Sequence, residues 1–307
     1  MRIALTGASG NVGTAFADEA LRAGHSLVCL GRQLPSWLEG KVEFEWFDLA
    51  APSVNSAIPD ALRGVDTAVH LAAKVDTSPA DDAAALAMFQ TNVLGTKHLI
   101  ESLAQARVGH MVLASTANFY DPRLQSADEG SLVQPMSRTI YLSSKAAQEW
   151  IAREACSKAG LGLGVMRISS VVGITGEDLI GRMAGKVIRG QAVTLTDPEF
   201  GADFVSLDSV VQGLLIAVTR RLQGDFNLSS GIRHTLQEVL ALVAAEVGYE
   251  PKVEYRDLPC PRDRGFPAIE CDLLRSEGYL PEPLELLISR MVGNVAGELS
   301  SDCPGPL

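Results

Sequence analysis

Apolar residues in the first half of the chain fall into short runs, separated by longer segments with helical spacing. The runs are typical of buried strands and cover residues 3–5, 26–30, 42–47, 65–71, 110–115 and 162–167. The amphipathic segments between them predict helices at 14–22, within 53–63, at 83–105 and at 139–158. Strands that alternate with helices, without hairpin turns, predict a parallel sheet with helices on both faces.

The second half of the chain has a less regular pattern. It predicts helices at 177–189, 209–220, 235–247 and 283–292, and short strands at 192–195 and 226–228. The helix at 235–247 begins with Thr235 and Glu238, which have the spacing of a capping box. We therefore expect an α/β protein in which a doubly wound parallel sheet is followed by a smaller α+β region.

A glycine-rich turn separates the first predicted strand from the first helix. Gly7, Gly10 and Gly13 have the spacing G-x-x-G-x-x-G, in the strand–turn–helix context that a phosphate-binding loop needs. The first glycine permits the tight turn, the second lets the backbone approach a pyrophosphate, and the third lets the helix pack on the strand. The N–H groups at the start of the helix then face the anion. The alternative is a turn of small residues without a ligand.

A second candidate group lies on the predicted helix at 139–158. Tyr141 and Lys145 are four residues apart and share one helix face. A tyrosine titrates near ~10, and a neighbouring ammonium group lowers that pKa, which would make the phenol a usable general acid or base. Ser115 and Thr116, at the end of the fifth strand, offer hydroxyls to the oxygen on which Tyr141 acts. Without such context, a Tyr and a Lys one turn apart form a solvated face.

Charge and composition exclude several classes of partner. The chain of 307 residues has a formal net charge of −11, which argues against non-specific binding to nucleic acid. No apolar run is long enough for a membrane span, and the first strand begins too early for a signal peptide. The five cysteines are scattered and lack metal-binding spacing. They predict reduced thiols, a cytoplasmic protein and no metal site.

The order of the motifs along the chain resembles that of the extended short-chain dehydrogenases/reductases, the NAD-dependent epimerase/dehydratase family. The matching pieces are 6–13, 48–49, 70–73, 92–96, 113–116, 119–120, 141–145, 167–169, 204–208 and 226–228. The resemblance implies a Rossmann-like doubly wound parallel sheet with a smaller C-terminal α+β substrate-binding domain. The dinucleotide-binding domain would comprise 1–167 and about 204–230, and the substrate-binding domain about 168–203 and 231–307.

The resemblance also implies roles for individual residues. Tyr141 is the expected catalytic acid/base, Lys145 bonds the nicotinamide ribose and tunes Tyr141, and Thr116 is the substrate-side hydroxyl. The residues expected at the cofactor, NAD or NADP, are Gly7, Ser9, Gly10, Asn11, Val12, Gly13, Gly31, Arg32, Asp48, Leu49, Leu71, Ala72, Ala73, Asn92, Ser115, Tyr141, Lys145 and Ile168. In relatives the helices that correspond to 83–105 and 139–158 pair across a dimer contact, so a homodimer is expected.

Two departures from the family pattern concern the cofactor and the reaction. The second strand ends in Gly31 and Arg32, where NAD-preferring members usually have an acidic residue. An arginine there fits the 2′-phosphate of NADP, which is favoured, although Arg32 could instead face solvent. Ala117 and Asn118 occupy positions where sugar dehydratases of the family have an acid pair, which argues against elimination of water.

A third departure concerns the substrate. Ser170 and Ala202 stand where nucleotide-sugar members often have Asn and Arg, so two expected contacts with a substrate diphosphate are missing. Three arginines could replace those contacts or could be ordinary surface charges: Arg182, Arg189 and Arg233. A nucleotide-sugar substrate is therefore weakened but not excluded.

These features together predict an NAD(P)-dependent oxidoreductase. It would pass hydride between nicotinamide and a carbonyl or secondary alcohol carbon of a sugar-like or nucleotide-sugar small molecule. The first alternative is a nucleotide-sugar epimerase that uses the same residues. A non-catalytic dinucleotide-sensing protein ranks below both, because such relatives commonly lose the tyrosine, and Tyr141 and Lys145 are both present.

Overall fold

The helices and strands follow a βα alternation through most of the chain, in a computed structural model that describes residues 1–50, 58–134, 139–175, 178–195, 197–255 and 265–301. The strands are β1 (Arg2–Thr6), β2 (Ser26–Gly31), β3 (Glu43–Trp46), β4 (Thr67–His70), β5 (His110–Thr116), β6 (Ser126–Ala127), β7 (Gly162–Ile168), β8 (Ser170–Val172), β9 (Val193–Leu195), β10 (Gly201–Ser206), β11 (Gly224–Leu228), β12 (Arg233–Thr235), β13 (Val253–Tyr255) and β14 (Ala268–Ile269). The helices are α1 (Asn11–Arg22), α2 (Ile58–Ala61), α3 (Asp82–Phe89), α4 (Gly95–Gln105), α5 (Ile140–Ala159), α6 (Leu179–Ile188), α7 (Leu207–Thr219), α8 (Leu236–Val247), α9 (Asp272–Ser276) and α10 (Leu284–Ser301).

Seven parallel strands form the central sheet, in the order β11-β7-β5-β4-β1-β2-β3. The order reverses direction between β1 and β4, so the carboxyl ends of these two strands mark the switch point at which such sheets bind ligands. The pairing of Thr6 with His70 is the last step of the β1–β4 register. The sequence pattern predicted six of these strands in the sheet, and β11 is the seventh, at the edge beside β7.

The central strands are buried on both faces because their side chains alternate between two cores. Ile3 and Leu5 pack with Phe16 of α1 on one face. Ala4 packs with Leu103 of α4 on the other face. Burial on both faces explains why these strands are continuous apolar runs rather than alternating ones.

A smaller unit lies beside the sheet and contains a third core. Its three-stranded sheet has the order β12-β10-β8. The core between α6, α8 and α10 includes Ile180, Val239 and Ile288. Strand β10 contributes to both units, because Phe204 belongs to this core whereas Val205 belongs to the core of α1 and α7.

One predicted helix is longer in the structure and another is interrupted. The helix predicted at 283–292 continues to Ser301 as α10. The segment at 83–105 is interrupted by a π turn, Gln90–Leu94, between α3 and α4. The helix predicted within 53–63 is present as α2, and residues 51–57 lie outside the described part of the chain. The short strands β6, β8 and β12–β14 were not predicted, since two or three residues show no measurable periodicity.

Candidate active site

The glycine turn connects the end of β1 to the start of α1. Gly7 has φ +81°, a conformation that residues with a Cβ rarely adopt. A Cβ at Gly7 would lie 2.7 Å from the Ala72 amide nitrogen, and one at Gly13 would lie 1.9 Å from the Gly7 carbonyl oxygen. Gly10 is the N-cap of α1 and offers no side chain to the first helical N–H groups. Gly7 and Gly13 are therefore required by close approaches within the protein backbone, and the first N–H groups of α1 fit the pyrophosphate of a dinucleotide.

The residues between these glycines and beyond β2 and β3 form the rim of the same sheet edge. Ser9, Asn11 and Arg32 are exposed, whereas Val12, Gly31, Asp48 and Leu49 are half-buried. Leu49 lies against the start of α4, where a Cβ on Gly95 would come within 2.5 Å of the Leu49 carbonyl oxygen. The Arg32 side chain makes no hydrogen bond or ion pair with the part of the chain that the structure describes. Its guanidinium group is therefore available to an anionic ligand.

The segment after β4 passes close to the glycine turn and is held from both sides. The half-buried residues 71–73 begin it, and the Ala72 N–H donates to Thr6 Oγ1 at 3.2 Å. Asn92 Oδ1 accepts the Lys74 N–H at 2.7 Å, and Asn92 Nδ2 donates to the Lys74 carbonyl oxygen at 3.0 Å. Asn92, which was expected at the cofactor, is completely buried and holds the backbone of this segment.

Asn92 lies in the π turn, a feature that often occurs at functional sites. Its Nδ2 also donates to Ser144 Oγ at 2.9 Å, and Ser144 Oγ donates to the Tyr141 carbonyl oxygen at 2.7 Å. The segment after β4 is thus connected through two side chains to the helical turn that bears Tyr141.

Tyr141 lies in the first turn of α5, which is capped by Thr139. Its ring packs with Phe119 and Ala146, next to the end of β5. Burial raises the pKa of Tyr141 to about 12. This direction is opposite to the lowering expected from Lys145, because burial is the dominant influence. The phenol is protonated at neutral pH and can donate its proton.

Lys145 lies one turn further along the same face of α5 and is almost completely buried. Its Nζ donates to the Ala114 carbonyl oxygen at 2.7 Å and to Gln148 Oε1. Burial lowers the pKa of Lys145 to about 8, against the opposing effect of the Glu149 carboxylate. Two of the three ammonium protons are thus bound by the protein, and one remains for a ligand.

Ser115 and Thr116 end β5 beside the Lys145 contact. Ser115 Oγ is buried and has no hydrogen-bond partner among the described residues. An orphaned buried hydroxyl is costly, and it fits a site that a polar group of a ligand completes. Thr116 Oγ1 accepts the Asn118 N–H at 3.1 Å, which leaves the Thr116 hydroxyl proton for another acceptor. Thr116 pairs with Ile168, the last residue of β7.

The Arg167 side chain, on β7, connects the central sheet to α5. Its guanidinium makes two hydrogen bonds to Glu149, at 3.1 and 2.9 Å, and one to the Tyr120 hydroxyl at 2.9 Å. It also lies 5.3 Å from the centre of the Phe119 ring. This buried ion pair holds the helix face that contains Lys145.

Sequence reasoning did not identify the buried polar side chains behind Lys145. His70 Nδ1 lies 2.7 Å from Thr6 Oγ1, and His70 Nε2 lies 2.8 Å from Thr96 Oγ1. Gln148 Nε2 donates to the same Thr96 oxygen at 2.8 Å. Burial, and secondarily the Lys145 charge, lowers the pKa of His70 to about 3. The available signal was the position of Gln148, three residues after Lys145 and so adjacent on the helix.

The residues that depart from the family pattern in the expected substrate region lie on and around β10. Ala202 is buried on β10, and Arg233 lies on the neighbouring strand β12. A Cβ on Gly201 would lie 2.4 Å from Arg233 Cζ, so the guanidinium covers the backbone beside Ala202. Arg233 Nε donates to the Phe266 carbonyl oxygen at 3.0 Å. Arg182 and Arg189 are exposed and Ser170 is half-buried.

The described residues contain no group of three His, Cys, Asp or Glu side chains placed to hold a metal ion. None of the helices in this part of the chain has the length and apolar character needed to cross a membrane.

A glycine turn at the switch point of a parallel sheet, with a half-buried Tyr and a buried Lys at the same edge, defines a Rossmann-type dinucleotide-binding protein. The model of the NAD dependent epimerase/dehydratase family matches residues 3–229, and the chain belongs to this family. The resemblance found in the sequence and the predicted fold class are both confirmed.

Several relatives of known activity are similar over most of the chain. The dTDP-6-deoxy-L-talose 4-dehydrogenase (NAD(P)(+)) of Kitasatospora kifunensis is 27% identical over 279 residues, which cover 86% of this chain and 84% of the relative. UDP-glucuronic acid decarboxylase 1 of Danio rerio is 24% identical over 274 residues, 83% of this chain, and the match spans only 62% of its own length. The structure of Thermus thermophilus UDP-glucose 4-epimerase in complex with NAD is 26% identical, with a TM-score of 0.81, and covers 97% of this chain and 99% of that one.

Proposed function

We propose that this protein is an NAD(P)-dependent oxidoreductase that acts on a carbonyl or secondary alcohol of a sugar-like or nucleotide-sugar substrate. The observation that supports it best is half-buried Tyr141 with buried Lys145 and the orphaned Ser115 hydroxyl, at the sheet edge that also contains the glycine turn. The relatives described above act on sugars linked to nucleotides.

The bound nicotinamide would supply or accept the hydride. Tyr141, protonated at neutral pH, would donate its proton to the carbonyl oxygen as that oxygen gains charge. Thr116 has a free hydroxyl proton with which to hold the same oxygen. Lys145 would remain charged below about pH 8 and stabilise negative charge on the phenol after proton transfer.

The cofactor would be held by groups along one edge of the sheet. The backbone N–H groups after Gly10 would bind the pyrophosphate, and the third Lys145 proton would bind a ribose hydroxyl. The Ser115 hydroxyl would gain its missing partner at the nicotinamide end. Asp48 and Leu49 would contact the adenine. Residues 71–73 would contact the part of the cofactor between the adenine and the nicotinamide.

We also propose a preference for NADP over NAD. Arg32 follows β2 with an exposed guanidinium, at the place where NAD-specific proteins carry an acid for the ribose hydroxyls. Arg32→Ala should therefore weaken NADPH binding by roughly tenfold, about the loss of one hydrogen-bonded charge, and leave NADH binding nearly unchanged. Titration by nucleotide fluorescence measures both affinities, and equal losses for both nucleotides would contradict the preference.

The proposed assembly is a homodimer formed through α3, α5 and the π turn. Leu86, Leu94 and Trp150 on these elements are large apolar side chains with at least half of their surface exposed. Light scattering of the purified protein measures the assembly. The buried thiols of Cys29, Cys156 and Cys271 support a reducing, cytoplasmic location. The two-domain division at about 168, 204 and 230 is supported by the separate core of α6, α8 and α10.

Tyr141→Phe tests the catalytic proposal, with the exposed Tyr249→Phe as a matched control. Turnover of NADPH or NADH is measured over a panel of aldoses, ketoses and nucleotide sugars, and nucleotide affinity is measured in parallel. We expect Tyr141→Phe to lose turnover by about 10²–10⁴-fold and to retain cofactor binding. Unchanged turnover would show that Tyr141 is not the acid/base, and a wild type that binds nucleotide without any turnover would favour the sensing alternative.

A nucleotide-sugar epimerase is the second candidate, supported by the match to the Thermus epimerase over nearly the whole chain. Such an enzyme oxidises and re-reduces its substrate without net redox change. Mass spectrometry of the ligand released from denatured protein separates the two candidates. Tightly retained NAD favours epimerisation, whereas protein purified empty that prefers NADPH favours reduction.

A further inference from the structure

A continuous chain of buried side chains connects the end of β1 with Lys145 on α5. It runs from Thr6 through His70 and Thr96 to Gln148, and each of these residues is at most 2% exposed. Each link is a hydrogen bond of 2.7 or 2.8 Å. Gln148 Oε1 then accepts a hydrogen bond from Lys145 Nζ.

The direction of every donor in this chain is determined by its neighbours. Thr96 Oγ1 lies 2.6 Å from the Asn92 carbonyl oxygen, which can only accept, so the Thr96 proton points there. Thr96 Oγ1 must then accept from both Gln148 Nε2 and His70 Nε2. In this arrangement the neutral His70 is assigned its proton at Nε2, and its Nδ1 accepts a hydrogen bond from the Thr6 hydroxyl.

This pattern also fixes the orientation of the Gln148 amide. Because its nitrogen donates to Thr96, its oxygen faces the Lys145 ammonium group. The reversed amide would place two N–H donors opposite an ammonium group, which has only donors. Thr96 and His70 therefore determine that Lys145 meets an acceptor.

We propose that Gln148 is a positioning residue that keeps Lys145 protonated and holds its Nζ beside Ala114 at the end of β5. The proposal rests on the proposed function for its catalytic consequence, since a charged Lys145 is what Tyr141 and the nicotinamide ribose require. A hydrogen bond from a charged donor to a fixed acceptor stabilises the charged form of that donor.

Gln148 differs from the other side chains around Lys145 because its oxygen contacts Nζ directly. On α5, Tyr141 is neutral, and the Glu149 carboxylate, which accepts hydrogen bonds from Arg167 of β7, also raises the pKa of Lys145. On β4, His70 is neutral. The side chains that α4 and the π turn direct into this network, Thr96 and Asn92, have no charge, and β5 contributes the Ala114 carbonyl. Among the described residues, Gln148 thus supplies the side-chain oxygen that binds Nζ.

The proposal is tested by following the titration of Lys145 directly. The full chain has seven lysines, so ¹³C-labelled lysine gives few Cε signals, and Lys145→Met assigns the relevant one. In the wild type, Lys145 should titrate near pH 8, far below an exposed lysine. Gln148→Leu should lower this midpoint by about one pH unit, the size of one hydrogen bond to a charge. Gln148→Glu should raise it, because an opposite charge favours the ammonium form.

Two further variants keep the test decisive. Thr96→Val, which removes the group that orients the amide, should lower the midpoint by less than Gln148→Leu, and it replaces that variant if Gln148→Leu does not fold. Thr67→Val, which removes a buried hydrogen bond elsewhere in the sheet, should leave the midpoint unchanged. An unchanged midpoint in Gln148→Leu, or shifts of the same sign in Gln148→Leu and Gln148→Glu, would overturn the proposal.

The affinity for NADPH and NADH as a function of pH provides a second readout. Binding should weaken above the Lys145 midpoint, and the pH of this decline should move with the midpoint in each variant. If no nucleotide binds to any variant, the proposed function fails, whereas the lysine titration still decides the role of Gln148. If nucleotide binds but its pH dependence does not follow the midpoint, Gln148 does not act through Lys145 on the cofactor.

Discussion

Two buried threonine–histidine pairs lie at opposite ends of the central strands. At the carboxyl end, Thr6 of β1 bonds His70 Nδ1 at 2.7 Å. At the amino end, Thr67 of β4 bonds His110 Nδ1 at 2.8 Å. Burial lowers the pKa of both imidazoles, so both are neutral at pH 7. In local chemistry the two pairs are nearly the same.

The pairs differ in the hydrogen-bond partner of the second imidazole nitrogen, Nε2. His110 Nε2 bonds the Leu222 carbonyl oxygen at 2.9 Å, and the connection ends on the backbone. His70 Nε2 bonds Thr96, and the connection continues through Gln148 to the ammonium group of Lys145. Parallel sheets bind ligands at the carboxyl ends of their strands. Of two chemically similar buried pairs, we therefore expect only the pair at that end to affect ligand binding.

The largest expected effect is the loss of Lys145, the residue at which the hydrogen-bonded chain from His70 ends. Under the proposed function, Lys145→Met should lower kcat by about 10²–10⁴-fold and weaken nucleotide binding, because it removes the ammonium group proposed to bind the ribose and to stabilise negative charge on Tyr141. Lys97→Met is the control, since Lys97 pairs with Glu101 on the surface of α4. Comparable losses in both variants, measured by steady-state kinetics, would show that the buried ammonium has no special role.

The next effect compares a glycine from each end of the sheet. A Cβ at Gly13 would lie 1.9 Å from the Gly7 carbonyl oxygen, whereas a Cβ at Gly109, just before β5, meets no atom within 4 Å. Gly13→Ala should destabilise the fold by about 1–3 kcal/mol through overpacking and abolish tight nucleotide binding. Gly109→Ala should change the free energy of unfolding by less than about 0.5 kcal/mol. Urea unfolding and nucleotide titration decide, and normal binding in Gly13→Ala would contradict the proposed pyrophosphate site.

A smaller effect is expected when the threonine of each threonine–histidine pair is replaced. Thr6→Val and Thr67→Val each leave a buried imidazole nitrogen without its partner and should each cost about 1–3 kcal/mol of unfolding free energy. Only Thr6→Val should also lower the affinity for NADPH or NADH, because Thr6 in addition binds the Ala72 N–H beside the glycine turn. If Thr67→Val weakened nucleotide binding equally, the functional distinction between the two pairs would be wrong.

The smallest expected effect is the response of the histidines to pH. The folded pKa of His70, about 3, lies below its unfolded value near 6.5, so the unfolded chain binds more protons between these limits. The free energy of unfolding should therefore fall as the pH drops below about 6.5, by at most about 1.4 kcal/mol per pH unit through His70. Urea unfolding of wild type and His70→Asn at pH 7 and pH 5 measures this slope. A slope that does not decrease in His70→Asn would contradict the neutral, buried state of His70.

The sequence was sufficient for the features that depend on periodicity. Ile3, Ala4 and Leu5 form a continuous apolar run because both faces of β1 are covered, and such a run is readable without a structure. The spacing of Tyr141 and Lys145 fixes their common face, since any helix places residues i and i+4 together. The class of fold and the location of the site at the carboxyl ends followed from these local regularities.

Features that depend on three-dimensional direction could not be predicted. The segment at 83–105 has continuous helical spacing, so nothing indicated the π turn that buries Asn92. Gln148 and Glu149 lie three and four residues after Lys145 and are equally near it in sequence. Only the structure shows that Glu149 turns to Arg167, whereas Gln148 meets the ammonium group. Burial, which raises rather than lowers the pKa of Tyr141, is likewise invisible in the spacing.

The hydrogen bonds between the Asn92 side chain and the backbone of Lys74 affect which residues can be tolerated at position 74. Asn92 binds the N–H and carbonyl groups of Lys74, and the Lys74 side chain itself is exposed. The contact is therefore indifferent to the side chain at this position, with the exception of proline, which has no N–H to offer. Natural drift or directed evolution can exchange residue 74 beside the site without loosening the segment that follows β4. The backbone of this segment is held independently of the side chain at position 74, so a new side chain there can change what the neighbouring surface binds at small cost in stability.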